Sequence, residues 1–177
     1  MDTHTVFDMA SVSKSISTAI CTLILTERGQ LRLTDPVNLY LPVFSEEIRI
    51  TDLLTHTSGL PAYAPVNKLV EQYGSPNPEG LIEYIAGCKP VFKPGSDFQY
   101  SCLNYIVLQH IIETISGQSL RDFAKANIFD PLGMSHTDYC PTGEILEHCA
   151  PTEKQKDGNV LKGVVHDPLA RIMNGGI

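Results

Sequence analysis

The spacing of apolar residues predicts two long helices. From Val12 onward, apolar side chains recur every three to four positions, which is the repeat of one helical face, and Gly29 supplies a stop signal. We therefore expect a helix from about Ser11 to Arg28, with an apolar face at positions 12, 16, 19, 20, 23 and 24. The same repeat at positions 103, 106, 107, 111 and 115 predicts a second helix that Gly117 closes. Both faces need a partner layer, and without one they pack on each other or stay exposed.

Capping signals predict several shorter helices. Asp35-Pro36 and Asn77-Pro78 each place a capping side chain before a first-turn proline. Thr51-Asp52 opens another short helix, which must end at Gly59. A pattern like a capping box at residues 119–122 starts the helix that follows the second long one.

The remaining segments carry weaker structural signals. Pro94-Gly95 marks a tight turn, after which residues 98–100 are expected to run extended. Beyond Met134 the periodicity fades into a region rich in Thr, Pro, Gly and Lys, and residues 174–177 offer no closing helix or strand. No repeat or low-complexity linker divides the chain, so residues 1–177 are expected to form one domain or a large piece of one.

Composition and charge narrow the function classes. The 177 residues are 42% hydrophobic and 19% charged, which excludes a disordered tail. Thirteen Lys and Arg against twenty Asp and Glu give a net charge of −7, so a nucleic-acid partner is not expected. The apolar runs at residues 19–25 and 105–112 are too short to cross a bilayer. Acidic residues around the first run and the lack of a cleavage site argue against a signal peptide, and the sequence predicts no compartment.

The cysteines indicate neither a disulfide framework nor a metal site. Five cysteines form an odd number without a CxxC spacing, so we expect free thiols. The only spacing that could be forced onto a zinc site is His136, Cys140, His148 and Cys149, and a loop with incidental ligand types explains it better. We predict no metal and no cofactor.

A serine and a lysine stand three residues apart at the start of the first predicted helix. In Ser11-Val12-Ser13-Lys14 the outer two side chains share a helical face, so each can reach the other. A serine hydroxyl needs a neighbouring base to act as a nucleophile, and a partly desolvated lysine can supply one. The free N–H groups at the helix start also favour developing negative charge. By itself the Ser-x-x-Lys pattern is a weak signal, because both residue types are common.

Longer motifs strengthen this interpretation. Residues 7–14, Phe-Asp-Met-Ala-Ser-Val-Ser-Lys, and residues 53–60, Leu-Leu-Thr-His-Thr-Ser-Gly-Leu, resemble the nucleophile segment and a highly specific stretch of the class C β-lactamase-like serine hydrolases. That family includes penicillin-binding D,D-peptidases and carboxylesterases. Residues 98–101 with the helix after them resemble its second motif, Tyr-x-Asn, and residues 128–134 match another family segment. The resemblance spans nearly the whole chain.

The resemblance implies a fold and a site. The fold is α+β, of the β-lactamase/transpeptidase type, with the mostly helical region present and much of the antiparallel sheet missing. Ser11 is the implied acylated nucleophile, Lys14 its activating partner and Tyr100 the phenol that carries a proton to and from the leaving group. Implied substrates are esters, amides such as peptidoglycan stem peptides, and β-lactams. Family members often work outside the cytoplasm.

Two departures from the family pattern keep a second function open. Cys102 stands where the second motif carries Asn or Asp to bind Lys14 and the substrate amide, and a thiol donates and accepts hydrogen bonds weakly. The third motif, a Lys- or His-x-Gly strand, is expected beyond residue 177, and the first strands of the sheet before residue 1, so the chain resembles a hydrolase domain truncated at both ends. The alternative to a serine hydrolase is a catalytically silent relative that binds a ligand or partner.

Two histidines resemble general bases but receive structural interpretations. His56 lies in the family's structural turn, and we expect it to be buried and hydrogen-bonded to backbone. His166 and Asp167 are adjacent, so their side chains point apart on an extended chain and cannot readily pair.

Overall fold

The first long helix lies where the sequence places it, and half of its predicted apolar face is exposed. The computed structural model describes residues 3–74 and 76–173. The helix consists of a π-helical turn, Lys14–Thr18, followed by α1, Ala19–Glu27. Small residues on its inner side, among them Ser17, Thr18 and Cys21, are buried. By contrast, Val12, Ile20 and Leu23 on the predicted apolar face are 51%, 39% and 47% exposed.

The second long helix is the centre of the core. It is α5, Cys102–Ser116, and it ends at Gly117, whose φ of 68° is the left-handed conformation that glycine adopts without strain. Its predicted apolar face is buried except at Ile115, which is partly buried, and Leu108, Ile112 and the polar Gln109 beside that face are buried too. The helix is therefore enclosed by other elements on nearly every side, in contrast to the first helix.

Four short elements lie between the long helices: a 3₁₀ turn Val37–Leu39, α2 Ile50–Leu54, α3 Val66–Tyr73 and α4 Pro78–Ala86. The start signal at Asn77 is confirmed, since its side chain accepts the Gly80 N–H at 2.7 Å. The signal at Asp35 yields only the 3₁₀ turn, because that carboxylate accepts from the Arg32 N–H and the Tyr40 hydroxyl. Helix α2 ends before the predicted Gly59, and α3 was not predicted.

The last third of the described chain is more regular than its composition indicates. Helix α6, Leu120–Ala124, starts at Ser119, whose side chain accepts the Asp122 N–H, and continues as a π turn, Lys125–Phe129. Beyond it lie α7 Gly143–His148, β1 Pro151–Lys154, β2 Val160–Lys162 and α8 Pro168–Ile172. Strands β1 and β2 pair antiparallel. The expectation about residues 174–177 lies outside the described residues.

The predicted fold class is confirmed: the chain is α+β with the mostly helical region present. Within the described residues, β1 and β2 form the only sheet, so most of an antiparallel sheet is missing. The stretch at residues 98–100, which was predicted to run extended, belongs to no helix or strand and forms an irregular segment anchored by its backbone. None of the described helices has the length and apolar character needed to cross a membrane.

Candidate active site

A strained turn places Ser11 at the N-terminal end of the first helix. The residue before it, Ala10, has a φ of 44°, which is uncommon for a residue with a Cβ. The Ala10 N–H donates to the Asp8 carboxylate at 2.8 Å, which fixes this turn. Ser11 is exposed, and its own N–H donates to no acceptor among the described residues. A hydroxyl and a backbone donor are thus available side by side.

Lys14 lies directly beneath that serine. Its Nζ donates to the Ser11 hydroxyl oxygen at 3.2 Å, although Lys14 is only 3% exposed. The same nitrogen lies 5.6 Å from the centre of the Tyr100 ring and 5.9 Å from that of Tyr105. Aromatic faces attract a cation and offset part of the cost of burying it. The sequence spacing therefore brings Ser11 and Lys14 into contact, as expected.

Tyr100 reaches the site from the irregular segment before α5. Residues 99–102 run beside residues 56–62: the Ser101 hydroxyl donates to the Pro61 carbonyl at 2.6 Å, and the Cys102 N–H to the Ala62 carbonyl at 3.1 Å. Tyr100 remains 43% exposed. The structure thus brings together the three residues predicted to be catalytic, and leaves the phenol accessible.

Gly59 shows why the segment at residues 53–60 has such a restricted sequence. Its φ is 78°, and a Cβ there would lie 2.2 Å from the Phe92 carbonyl oxygen. The Val91 N–H donates to the Gly59 carbonyl at 2.8 Å. Close backbone approach of this kind tolerates only glycine. The segment therefore packs closely against the backbone at Val91 and Phe92.

His56 has the backbone hydrogen bond expected from the sequence. Its Nδ1 accepts the Ser101 N–H at 3.2 Å, and the side chain is half-buried. Burial lowers the pKa of His56 from its ordinary 6.5, and the nearby Lys14 charge lowers it further. The imidazole thus carries a structural hydrogen bond and lies within the site, beside Tyr100 and Lys14. This proximity was not predicted.

Cys102 occupies the first position of α5. It is half-buried, and among the described residues its thiol makes no hydrogen bond to Lys14. Burial raises the pKa of the nearby Tyr63 phenol, and the Asp167 carboxylate raises it further. The role of Cys102 in substrate binding stays a prediction.

A cavity of about 580 Å³ opens beside the serine. Its lining includes Ser11, Lys14, Ser17, Tyr139, His166 and Asp167. Tyr100 and Cys102 are not among its lining residues. The cavity thus extends from the Ser11–Lys14 pair toward the last described helix.

The other chemical candidates are occupied elsewhere. His166 Nε2 lies 2.7 Å from the Glu153 carboxylate, while Asp167 caps α8 by accepting the Leu169 N–H at 2.8 Å. His166 and Asp167 therefore do not form a general base with its orienting carboxylate. Within residues 3–74 and 76–173 no group of three or more His, Cys, Asp or Glu could hold a metal ion.

The family is established by comparison. The model of the Beta-lactamase family matches residues 1–176. The chain therefore belongs to the Beta-lactamase family.

Two curated relatives are 30% and 31% identical to this chain over the aligned residues. A protein named N-acetylmuramyl-L-alanine amidase, from Bacillus subtilis (strain 168), is 30% identical over 203 residues, covering 100% of this chain and 46% of that protein. A putative D-alanyl-D-alanine carboxypeptidase from Escherichia coli (strain K12) is 31% identical over 183 residues, covering 96% and 42%. The chain thus spans less than half the length of either relative.

A solved structure shows the same fold. A class C β-lactamase in complex with cefoxitin superimposes with a TM-score of 0.79 at 23% identity, covering 99% of this chain and 47% of the other. At that identity the likeness is one of fold, and it confirms the β-lactamase/transpeptidase-like architecture.

Proposed function

We propose that this chain carries the nucleophile half of a serine hydrolase that works through an acyl-enzyme. Ser11 is the nucleophile, Lys14 activates it, and Tyr100 carries the proton to and from the leaving group. The contact of 3.2 Å between Lys14 Nζ and Ser11 Oγ carries this proposal, because the lysine that makes it is buried. A lysine side chain is rarely buried unless its charge is paired or the amine has a chemical role.

The chemistry proceeds in two steps. In the first, Ser11 Oγ bonds to the substrate carbonyl carbon while the unprotonated amine form of Lys14 takes its proton, and the leaving amine or alkoxide departs with a proton from Tyr100. In the second, water attacks the ester carbonyl and gives a proton to the Tyr100 phenolate, while Ser11 leaves with the proton that Lys14 took up in the first step. The unused Ser11 N–H supports one hydrogen bond to the oxyanion in each step.

The proposed substrates are peptides ending in D-alanyl-D-alanine and the β-lactams that acylate the same nucleophile. The names of the two relatives, an amidase and a putative carboxypeptidase, support an amide bond as the target. An ester remains within reach of the same mechanism, since ester and amide carbonyls are attacked alike.

A turnover panel on the full-length protein tests this proposal. Release of D-alanine from an acyl-D-alanyl-D-alanine peptide, hydrolysis of nitrocefin and hydrolysis of p-nitrophenyl acetate are measured side by side. We expect peptide turnover that Ser11→Ala abolishes and Ser15→Ala, an exposed serine one turn further along, does not. Failure to turn over any of the three would contradict the proposal.

Cys102 supports a second candidate function, a silent relative that binds such ligands without reacting. Its thiol provides no hydrogen bond to Lys14 among the described residues. In that case a fluorescent penicillin would bind reversibly and be lost on denaturation. An adduct that survives denaturation would exclude the silent alternative.

A further inference from the structure

His56 contacts the chain on both sides of Tyr100. Its carbonyl oxygen accepts the Gln99 N–H at 3.0 Å, and its Nδ1 accepts the Ser101 N–H at 3.2 Å. One residue thus holds the backbone immediately before and immediately after the tyrosine. Two such bonds fix the position and direction of the peptide units from which the Tyr100 side chain projects.

The His56 ring also lies against the Tyr100 ring. Their centres are 4.5 Å apart at an interplanar angle of 43°. The centre of the Tyr105 ring lies 5.2 Å from that of the imidazole, and the centre of the Phe98 ring, which is nearly perpendicular to the imidazole, lies 6.2 Å away. Ring contacts at these separations restrict the rotamers of their members. The imidazole therefore limits the orientation of the phenol as well as the backbone beneath it.

A buried polar chain sets the protonation of the imidazole. Leu60 N–H donates to the Ser58 hydroxyl at 3.0 Å, and that hydroxyl donates to Asn104 Oδ1 at 2.6 Å. The Asn104 amide is thereby oriented with its Nδ2 toward His56 Nδ1, 3.1 Å away. Two N–H donors converge on Nδ1, so this nitrogen carries a lone pair and the proton of the neutral ring is on Nε2.

The backbone conformation of His56 directs this residue toward the Tyr100 segment. Its φ is 60°, in the left-handed region that residues with a Cβ rarely adopt outside Asn, Asp and His. This conformation ends α2 and turns the carbonyl and the ring toward the Tyr100 segment. Asparagine tolerates the same conformation and places an acceptor near the position of Nδ1. Alanine offers no acceptor.

We propose that His56 is a positioning residue for Tyr100: the neutral imidazole holds the backbone on both sides of the tyrosine and packs on its ring, so that the phenol stays against Lys14 above Ser11. This inference rests on the proposed role of Tyr100 in proton transfer. Proton transfer needs the donor and acceptor within hydrogen-bond reach, and small displacements slow it strongly. His56 itself contacts no reacting atom.

Protonation would undo this arrangement. A proton on Nδ1 turns the acceptor of the Ser101 N–H into a donor that faces two other donors. The groups around the ring are Lys14 from the first helix, Tyr100 and Phe98 from the irregular segment, and Tyr105 and Asn104 from α5. None of them is a carboxylate, and burial together with Lys14 lowers the pKa of His56, so the neutral form persists into mildly acidic solution.

The test compares His56→Ala and His56→Asn in the full-length protein, with His110→Gln on the outer side of α5 as control. The first readout is the acylation rate with a fluorescent penicillin at saturating and subsaturating concentration. We expect His56→Ala to slow acylation about 10- to 100-fold, with half-saturation changed by less than about twofold. His56→Asn should recover most of that loss. The acylation rate of the wild type should also fall at acidic pH as the imidazole is protonated, and His56→Asn should not show that fall. Equal rates in His56→Ala and wild type, or no recovery in His56→Asn, would overturn the inference.

A second readout does not depend on activity. In protein labelled with ¹³Cζ-tyrosine, the Tyr100 resonance is assigned with Tyr100→Phe and followed in each variant. We expect it to shift or broaden in His56→Ala, to shift less in His56→Asn and to stay unchanged in His110→Gln. If the wild type is not acylated, the proposed function fails and this resonance alone decides the positioning role. An unmoved Tyr100 resonance in His56→Ala would overturn it.

Discussion

The amino nitrogen of Lys14 lies 3.2 Å from the hydroxyl oxygen of Ser11, and no carboxylate among the described residues pairs with it. Burying an ammonium without an anion costs stability, and the two tyrosine rings beside it offset only part of that cost. The position of Lys14 therefore lowers stability, and we propose that it serves the reactivity of Ser11.

Replacing Lys14 with an apolar residue of similar shape separates its effect on stability from its effect on reactivity. We expect Lys14→Met to keep or raise the melting temperature, because a buried charge is removed, while acylation of Ser11 falls by at least about 10²-fold. Lys125→Met, at an exposed lysine paired with Asp130, is the control and should change neither quantity much. Thermal unfolding and labelling kinetics measure both. A destabilised variant with an unchanged acylation rate would contradict the role given to Lys14.

The two tyrosines that face Lys14 are expected to respond in opposite ways. Tyr100→Phe removes a hydroxyl from an exposed side chain, so we expect wild-type stability and a turnover lower by about 10² to 10⁴-fold. Tyr105→Phe removes the hydroxyl that donates to the Leu54 carbonyl at 3.2 Å, so we expect a loss of about 1 kcal/mol in unfolding free energy and little change in turnover. A loss of turnover in Tyr105→Phe, with a loss of stability alone in Tyr100→Phe, would contradict the proton-transfer role given to Tyr100.

We expect Cys102→Asn to speed the acylation of Ser11. An amide donates and accepts where the thiol does neither well, so we expect acylation faster by about tenfold, the value of one good hydrogen bond. Cys102→Ala controls for loss of the thiol alone and should match the wild type. The measurement is the acylation rate with a fluorescent penicillin. An asparagine variant no faster than the alanine variant would show that position 102 does not contact substrate or Lys14.

The lowered pKa of His56 makes stability depend on pH. The unfolded chain binds a proton at His56 near pH 6.5 and the folded chain does so only at lower pH, so this residue contributes stability above pH 6.5 that is lost as pH falls toward its folded pKa. His56→Asn lacks this contribution. Chemical denaturation of both proteins at about pH 8 and pH 5 should give a steeper fall for the wild type, and parallel falls would refute the effect.

Local chemistry accounts for what the sequence could predict. Ser11 and Lys14 meet because they stand at positions i and i+3, which share a helical face, and this relation is purely local. The cap at Asn77 and the stop at Gly117 are local too, and all three predictions agree with the structure. The second long helix was likewise predicted from its own spacing.

Contacts between distant segments account for what it could not. His56 and Ser101 are separated by 45 positions, and nothing in the periodicity brings them together. The exposure of the first helix's apolar face depends on what packs against its other side. Helix α8 is a different case: Asp167-Pro168 carries the same start signal as Asn77-Pro78, but the weak apolar periodicity after it does not predict a helix.

The most direct measurement of the central claim is the intact mass of the full-length protein after reaction with benzylpenicillin and denaturation. A mass increase equal to one penicilloyl group, mapped by peptide sequencing to Ser11, absent in Ser11→Ala and retained in Ser15→Ala, is the predicted result. An adduct at any other residue, or one that persists in Ser11→Ala, would contradict the claim that Ser11 is the nucleophile.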